Sequence, residues 1–130
     1  MFRKIVNDAG LGHKIEADSA GTGAWHVNEA PDPRSQEAAR QRGIDLSDQR
    51  ARQVILGDFH EFDYLLAMDE GNLSRLIDLC PSGFGGRLSL FLEFAPELGH
   101  REVPDPYYGG EKGFELVLDL IEAASQGLLA

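Results

Sequence analysis

The sequence has little of what several classes of protein require. Only one of its 130 residues is a cysteine, Cys80, so an internal disulfide is impossible. Lys and Arg number 12 against 22 Asp and Glu, which gives a net charge of -10 and a pI of about 4.7. That balance disfavours binding to nucleic acid or to an anionic membrane surface. No apolar run approaches the length of a membrane span. We therefore expect a cytoplasmic protein that binds neither nucleic acid nor membrane.

Metal ligands are also scarce. The four histidines are scattered singly along the chain, and Cys80 has no second cysteine with which to form a zinc site. We expect no metal.

Hydrophobic patterning predicts helices that alternate with strands. Phe2, Ile5 and Val6 have helical spacing, although no Ser, Thr, Asp or Asn precedes them as a cap. The apolar run 64–68 is typical of a strand buried on both faces of a parallel sheet, and Asp69 fits the cap of the helix that follows. The other predicted elements are a strand near residues 14–18, a helix in SQEAARQRGIDL, a strand in RLSLFLEF and a long amphipathic helix in EKGFELVLDLIEAASQGLL.

This alternation predicts one α/β domain over residues 1–130, a three-layer sandwich in which helices flank a parallel sheet. A ligand site is expected where loops leave the carboxyl ends of the strands, which selects the loops after Ala17, Met68 and Phe94. The face of the last helix that should cover the sheet consists of Phe114, Val117, Leu118, Ile121, Ala124 and Leu128.

Six short motifs occur in a characteristic order. They are DSAGT at 18–22, Trp25-His26-Val27, APDPR at 30–34, RARQ at 50–53, DYLLAMDEGNL at 63–73 and VPDPYYGG at 103–110. In order and spacing they resemble the low-molecular-weight protein tyrosine phosphatases, and the resemblance covers the chain from Met1 to its end. It implies a four-stranded parallel sheet and hydrolysis of phosphotyrosine in a protein, or of a small aryl phosphate, through a cysteinyl-phosphate without a cofactor.

The resemblance assigns roles to five residues. Asp105 corresponds to the general acid that protonates the leaving phenolate and then helps to activate water, whereas an Asp between two prolines is otherwise most often a turn residue. Tyr107, Tyr108 and Trp25 would line a crevice for the phenyl ring, although Trp25 could equally be a half-buried loop anchor. Ser19 matches a residue that supports the family's phosphate loop, and its alternative role is that of a turn former.

The family's nucleophile is not found among these residues. Members have an amino-terminal strand and then a Cys-x5-Arg-Ser/Thr loop that cradles phosphate and lowers the thiol pKa, and neither precedes Met1. We expect a domain that is amino-terminally truncated relative to the family and inactive as written. The alternatives are a non-catalytic pseudo-phosphatase or protein-binding module, and arsenate-reductase chemistry, which one cysteine argues against.

The family's first strand would lie between the segments at 14–18 and 64–68. Without it, each buried backbone group left unpaired would cost about 1–3 kcal/mol. We expect the two flanking strands to pair directly, with a strand-exchanged dimer as the second possibility and a poorly folded protein as the third.

Cys80 imitates a phosphate loop only superficially, in the segment CPSGFGGR. Six residues separate Cys80 from Arg87 where the family has five, and Leu88 follows the arginine in place of Ser or Thr. A helix precedes the cysteine where the family has a strand, and nearby Asp78 opposes formation of a thiolate. We expect that Cys80 is not a nucleophile.

Overall fold

The computed structural model describes residues 1–23, 27–104 and 110–129. Within these ranges, two strands form a parallel pair, β1 (Tyr64–Ala67) and β2 (Arg87–Leu90), in the register Tyr64 opposite Arg87 and Ala67 opposite Leu90. The helices are α1 (Phe2–Asp8), α2 (Pro33–Gln41), α3 (Gly57–Glu61), α4 (Glu70–Leu79) and α5 (Gly110–Leu129). None of the helices in this part of the chain has both the length and the apolar composition needed to cross a membrane.

Side chains on the two faces of β1 enter two different hydrophobic clusters. Leu65 and Ala67 pack with Phe59 of α3 and Leu76 of α4. Leu66 points the other way, into the cluster that α5 covers. This alternation is the period-two geometry of a strand, and it places helices on both faces of the sheet. The predicted α/β sandwich with a parallel sheet is therefore confirmed, with two strands in the described residues.

Local cap chemistry fixes where two of the helices begin. The Asp69 carboxylate accepts a hydrogen bond from the Asn72 N–H at 2.7 Å, as expected of a cap for α4. Asp32 does the same for the Arg34 N–H at 2.8 Å, ahead of a proline at the first helical position of α2. No side-chain cap bonds the start of α1, in keeping with the lack of a capping residue in the sequence.

Helix α5 packs closely on the chain that follows β2. Phe114 and Ala124 are buried on the predicted face, and Leu120, which was not expected there, is also in the core. Gly127 lies against the Phe94 carbonyl so closely that a Cβ at this position would overlap the backbone. A glycine is therefore required at this contact.

Two predicted strands are wrong in whole or in part. The run RLSLFLEF is a strand only to Leu90, and residues Phe91–Phe94 form a 3-10 helix. Phe91 and Leu92 are consecutive, yet both enter the cluster beneath α5, which the alternating sides of a strand would not permit. The sequence shows that the run is apolar, but not that its side chains stop alternating between two faces after Leu90.

Residues 14–18 do not form a strand. The N–H groups of Lys14 and Ile15 both donate to the Leu11 carbonyl, so this stretch begins as a turn after α1. The Ala17 carbonyl accepts a hydrogen bond from Arg3 at 2.6 Å. Among the described residues β1 pairs with β2 and no backbone hydrogen bond joins 14–18 to 64–68, so the expected direct pairing of these two segments is also wrong. The strand-exchanged dimer stays a prediction.

Candidate active site

Three segments of chain meet at the carboxyl end of β1. The Asn72 amide, in the first turn of α4, donates to the Thr22 hydroxyl at 3.3 Å. The Val103 N–H donates to the Met68 carbonyl at 2.7 Å. This is the end of a parallel sheet at which ligand sites form, and the chain that follows each of Ala17, Met68 and Phe94 reaches it, as the sequence predicted. Asp69 caps α4, as predicted, and Asn72 joins the first turn of α4 to the loop that contains Thr22.

Asp105, Tyr107, Tyr108 and Trp25 lie outside the described residues, so their predicted roles stay predictions. The described chain reaches Pro104 on one side and Gly23 on the other. Next to Pro104, Val103 is buried and bonded to Met68. Two further contacts fix this approach: Glu102 accepts from the Glu70 N–H at 2.7 Å, and Arg101 pairs with Glu70 at 2.6 Å.

Ser19 lies at the exposed start of the loop that leads to Thr22. Its N–H donates to the Asp18 carboxylate at 2.8 Å, an arrangement of side chain and backbone that is usual in turns. The predicted role of Ser19 in supporting a phosphate loop is untested by this contact.

A short segment, residues 50–54, bonds this loop to the rest of the domain. The Gly21 N–H donates to the Arg52 carbonyl and the Val54 N–H donates to the Gly21 carbonyl, each at 2.8 Å. Farther along the chain, the Asn28 N–H donates to the Ala51 carbonyl at 2.7 Å. The 50–54 segment thus anchors the chain on both sides of residues 24–26.

Asn28 adopts a backbone conformation that few residues tolerate. Its φ is 70°, in the left-handed region, where asparagine is several-fold enriched among residues other than glycine. This turn directs the Asn28 N–H toward the 50–54 segment.

The side chain of Arg52 fixes the 50–54 segment electrostatically. It donates from two nitrogens to the two oxygens of Asp58, at 3.0 and 3.1 Å, and from a third to Asp18 at 3.2 Å. Asp58 is 5% exposed and also accepts from the Ile55 N–H at 2.9 Å. Burial alone would raise the pKa of the Asp58 carboxyl, but the hydrogen bonds from Arg52 and Ile55 and the nearby guanidinium charge hold it below its ordinary value.

Sequence reasoning missed the pairing of Arg52 with Asp58. The RARQ motif was noted, but no role was assigned to it. A usable signal was the position of Asp58 beside Phe59 in a short helix. If Phe59 packs into the core, its neighbour Asp58 is partly buried with it, and a buried carboxylate needs a cationic or hydrogen-bonding partner.

Cys80 lies far from the converging loops. Helix α4 begins beside Thr22 and Met68, and Cys80 is its carboxyl-terminal cap, roughly 15 Å away for a ten-residue helix. The thiol is half-buried and donates to the Pro81 carbonyl at 3.7 Å. This distance from the converging loops supports the interpretation that Cys80 is not a nucleophile.

A cavity of about 510 Å³ lies at the opposite end of the sheet. Its walls include Phe59, Phe84 and His60, and it opens beside Tyr64 and Arg87, the first residues of β1 and β2. This cavity is therefore distinct from the converging loops. Among the residues that the structure describes, no group of three or more His, Cys, Asp or Glu side chains could hold a metal ion.

Comparison with known proteins identifies the fold and its lineage. The family model described as low molecular weight phosphotyrosine protein phosphatase matches residues 1–130. The chain belongs to this phosphatase family. The resemblance inferred from the motifs is thereby confirmed.

Individual phosphatases of the family agree with this assignment. A low molecular weight protein-tyrosine-phosphatase of Streptomyces coelicolor is 46% identical over 133 residues, which cover 100% of this chain and 80% of the relative. YfkJ of Bacillus subtilis, with the same description, is 38% identical over 130 residues, which cover 100% of this chain and 82% of the relative. The crystal structure of a protein tyrosine phosphatase from Entamoeba histolytica, with Hepes in its active site, superposes with a TM-score of 0.93 at 38% identity, covering 98% of this chain and 81% of that one.

Proposed function

We propose that the converging loops are the substrate end of a phosphotyrosine phosphatase in which Asp105 is the general acid. The observation that carries this proposal is the VPDPYYGG motif in a chain that matches the family over its whole length. The anchored Val103, two residues before Asp105, supports it, because it fixes the approach of this motif to the carboxyl end of β1.

The proposed reaction has two steps. The thiolate of the family's phosphate-loop cysteine, which is not among these 130 residues, attacks phosphorus. At the same time the Asp105 carboxyl donates its proton to the leaving phenolate oxygen. The Asp105 carboxylate then accepts a proton from the water that attacks the cysteinyl-phosphate, which releases phosphate and regenerates the thiolate. Trp25, Tyr107 and Tyr108 would contact the phenyl ring, and the substrate would be a phosphotyrosine protein or a small aryl phosphate.

We further propose that these 130 residues do not by themselves complete this reaction. The sequence contains no Cys-x5-Arg-Ser/Thr pattern, and its one thiol lies at the far end of α4. A lone general acid contributes about 10²–10⁴-fold to a rate and does not replace the nucleophile or the arginine that binds the phosphoryl oxygens.

The first test is an aryl phosphatase assay of the 130-residue chain with p-nitrophenyl phosphate. We expect hydrolysis at the rate of the buffer alone. A rate well above that background, abolished by Asp105→Ala and unaffected by Asp78→Ala on the exposed side of α4, would refute the proposed inactivity. Specific capture of a phosphotyrosine peptide without turnover would favour the alternative of a binding module.

The second test concerns the role of Asp105. In a polypeptide that carries a Cys-x5-Arg-Ser segment ahead of residue 1, we expect Asp105→Asn to lower kcat for aryl phosphates by about 10²–10⁴-fold. The control is Asp78→Asn, which should retain the parent kcat. Equal rates for the two variants would exclude Asp105 as the general acid.

A further inference from the structure

The 50–54 segment has a property that the proposed chemistry leaves unexplained. Its backbone bonds two stretches of chain that are separated in sequence, Gly21 on one side and Asn28 on the other. The pairing at Gly21 is a parallel bridge to Gln53, and the Gln53 side chain also donates to the Thr22 carbonyl at 3.3 Å. The loop that carries Ser19 is therefore built onto residues 50–54.

The Arg52 side chain ties the 50–54 segment to the core. Arg52 uses its carbonyl to bind Gly21 and its guanidinium to bind Asp58 and Asp18. Asp58 is nine-tenths buried, lies in α3 and is bonded to the Ile55 N–H, so its position is fixed by the core next to Phe59. Asp18, by contrast, immediately precedes Ser19. Arg52 thus connects a fixed point in the core to the first residue of the loop.

From this geometry we propose that Arg52 and Asp58 are positioning residues for the 18–22 loop of the active site. A guanidinium that contacts both oxygens of a carboxylate has one orientation, and the carbonyl of the same residue then has a defined direction toward Gly21. The inference deepens the proposed function, because it concerns the loop that would support the phosphate-binding segment through Ser19.

The two-oxygen geometry gives the proposal a sharp variant. Arg52→Lys keeps the positive charge but replaces the planar fork with a point charge, which binds Asp58 without fixing the orientation of the segment. The matched control is Arg40→Lys, whose parent side chain pairs with Glu37 at 2.6 Å on the exposed face of α2. Asp58→Asn is the second variant and removes the charge while retaining the shape.

The test is native-state amide hydrogen exchange on the 130-residue chain. In Arg52→Lys we expect the protection of the Gly21, Val54 and Asn28 N–H groups to fall about tenfold, because local opening of this region becomes easier. The Val103 N–H, bonded to Met68 at the same end of the sheet, should keep its protection. A general loss of stability would lower all four together, and that result would overturn the proposal.

A spectroscopic readout accompanies the exchange measurement. Trp25 is the single tryptophan, so its emission reports on the chain between Gly21 and Asn28. We expect Arg52→Lys and Asp58→Asn to change the emission maximum and to raise acrylamide quenching by about twofold, with Arg40→Lys unchanged. Wild-type exchange and emission in both variants would overturn the proposal. Neither readout needs turnover, so a failure of the proposed phosphatase function would leave this test decisive.

Discussion

Two arginines of this domain each bind several carboxylates, in surroundings that differ sharply. Arg52 contacts Asp58, whose side chain is 7% exposed, beside the proposed active site. Arg42, at the end of α2, contacts Glu115, Asp119 and Glu122 on α5, whose side chains are 43%, 66% and 48% exposed. In both cases hydrogen bonds from the arginine to its carboxylates raise the pKa of the guanidinium above its ordinary value.

The two clusters differ in how far their carboxylates are hydrated. Asp58 is nearly buried, so hydrogen bonds from Arg52 and the Ile55 N–H replace most of its hydration. The acidic groups around Arg42 are hydrated, and they outnumber the arginine three to one, so they repel one another along α5. The same ion-pair chemistry therefore fixes a site loop in one place and joins two surface helices in the other.

The largest expected effect comes from Asp58→Ala. The substitution leaves the Ile55 N–H without its acceptor and removes the carboxylate that orients Arg52, so we expect the free energy of unfolding to fall by about 2–4 kcal/mol. The lower part of that range is favoured because a third of the Arg52 side chain is exposed and stays hydrated. Urea denaturation of wild type and Asp58→Ala measures this loss in the free energy of unfolding.

The control for this comparison is Asp119→Ala, which removes an exposed partner of Arg42. We expect a loss below about 1 kcal/mol, because Glu115 and Glu122 remain to bind the arginine. Equal losses in the two variants would mean that burial does not distinguish the two clusters.

Acid should reveal the same difference. Because the pKa of Asp58 is lower in the folded state than its ordinary 3.8, the folded protein binds this proton less tightly than the unfolded chain. Its contribution to stability is then fully present above about pH 5 and is lost as the pH falls through 3.8 toward the lower folded pKa. We expect the stability difference between wild type and Asp58→Asn to be constant at neutral pH and to shrink below about pH 4.

Urea midpoints of both proteins between pH 7 and pH 3 measure this effect. A difference that grows as the pH falls would contradict the sign of the shift.

How far the sequence predicts such features depends on how local their causes are. The cap at Asp69 needs only the adjacent turn of α4 and was predicted correctly. The strand in the run 64–68 was also predicted, but only Leu65 and Ala67 are buried, and Tyr64 and Met68 at its ends are exposed. The end of β2 was not predicted, because Phe91 and Leu92 turn to the same side only to meet α5, far away in sequence. A continuous apolar run is compatible with either a strand or a 3-10 helix, so the sequence alone does not distinguish them here.

The site shows the same division. The motif around Asp105 identifies the family because it is short and contiguous, and it predicts the general acid before any geometry is known. The contact of Arg52 with Asp58 joins a loop to a helix, and their separation of six residues corresponds to no regular period. Only the fold brings Asp18 to the same guanidinium, because Asp18 and Arg52 are 34 positions apart in the chain.

The smallest expected effect comes from Arg42→Met, which keeps the apolar stem and removes the charge. Arg42 is 23% exposed and its partners are hydrated, so we expect a loss of about 1 kcal/mol in low salt. Salt at about 0.5 M screens exposed ion pairs, and the loss should then fall to a few tenths of a kcal/mol. Relief of repulsion among Glu115, Asp119 and Glu122 by the same salt works in the same direction, since it stabilises the variant more than wild type.

Urea denaturation at the two salt concentrations measures the difference, and Asp58→Ala, whose loss arises in a buried pair, should retain most of its effect in both. If Arg42→Met proved as insensitive to salt as Asp58→Ala, the Arg42 cluster would have to stabilise the domain through packing of its stem between α2 and α5, and the contrast between the two arginines would be one of position alone.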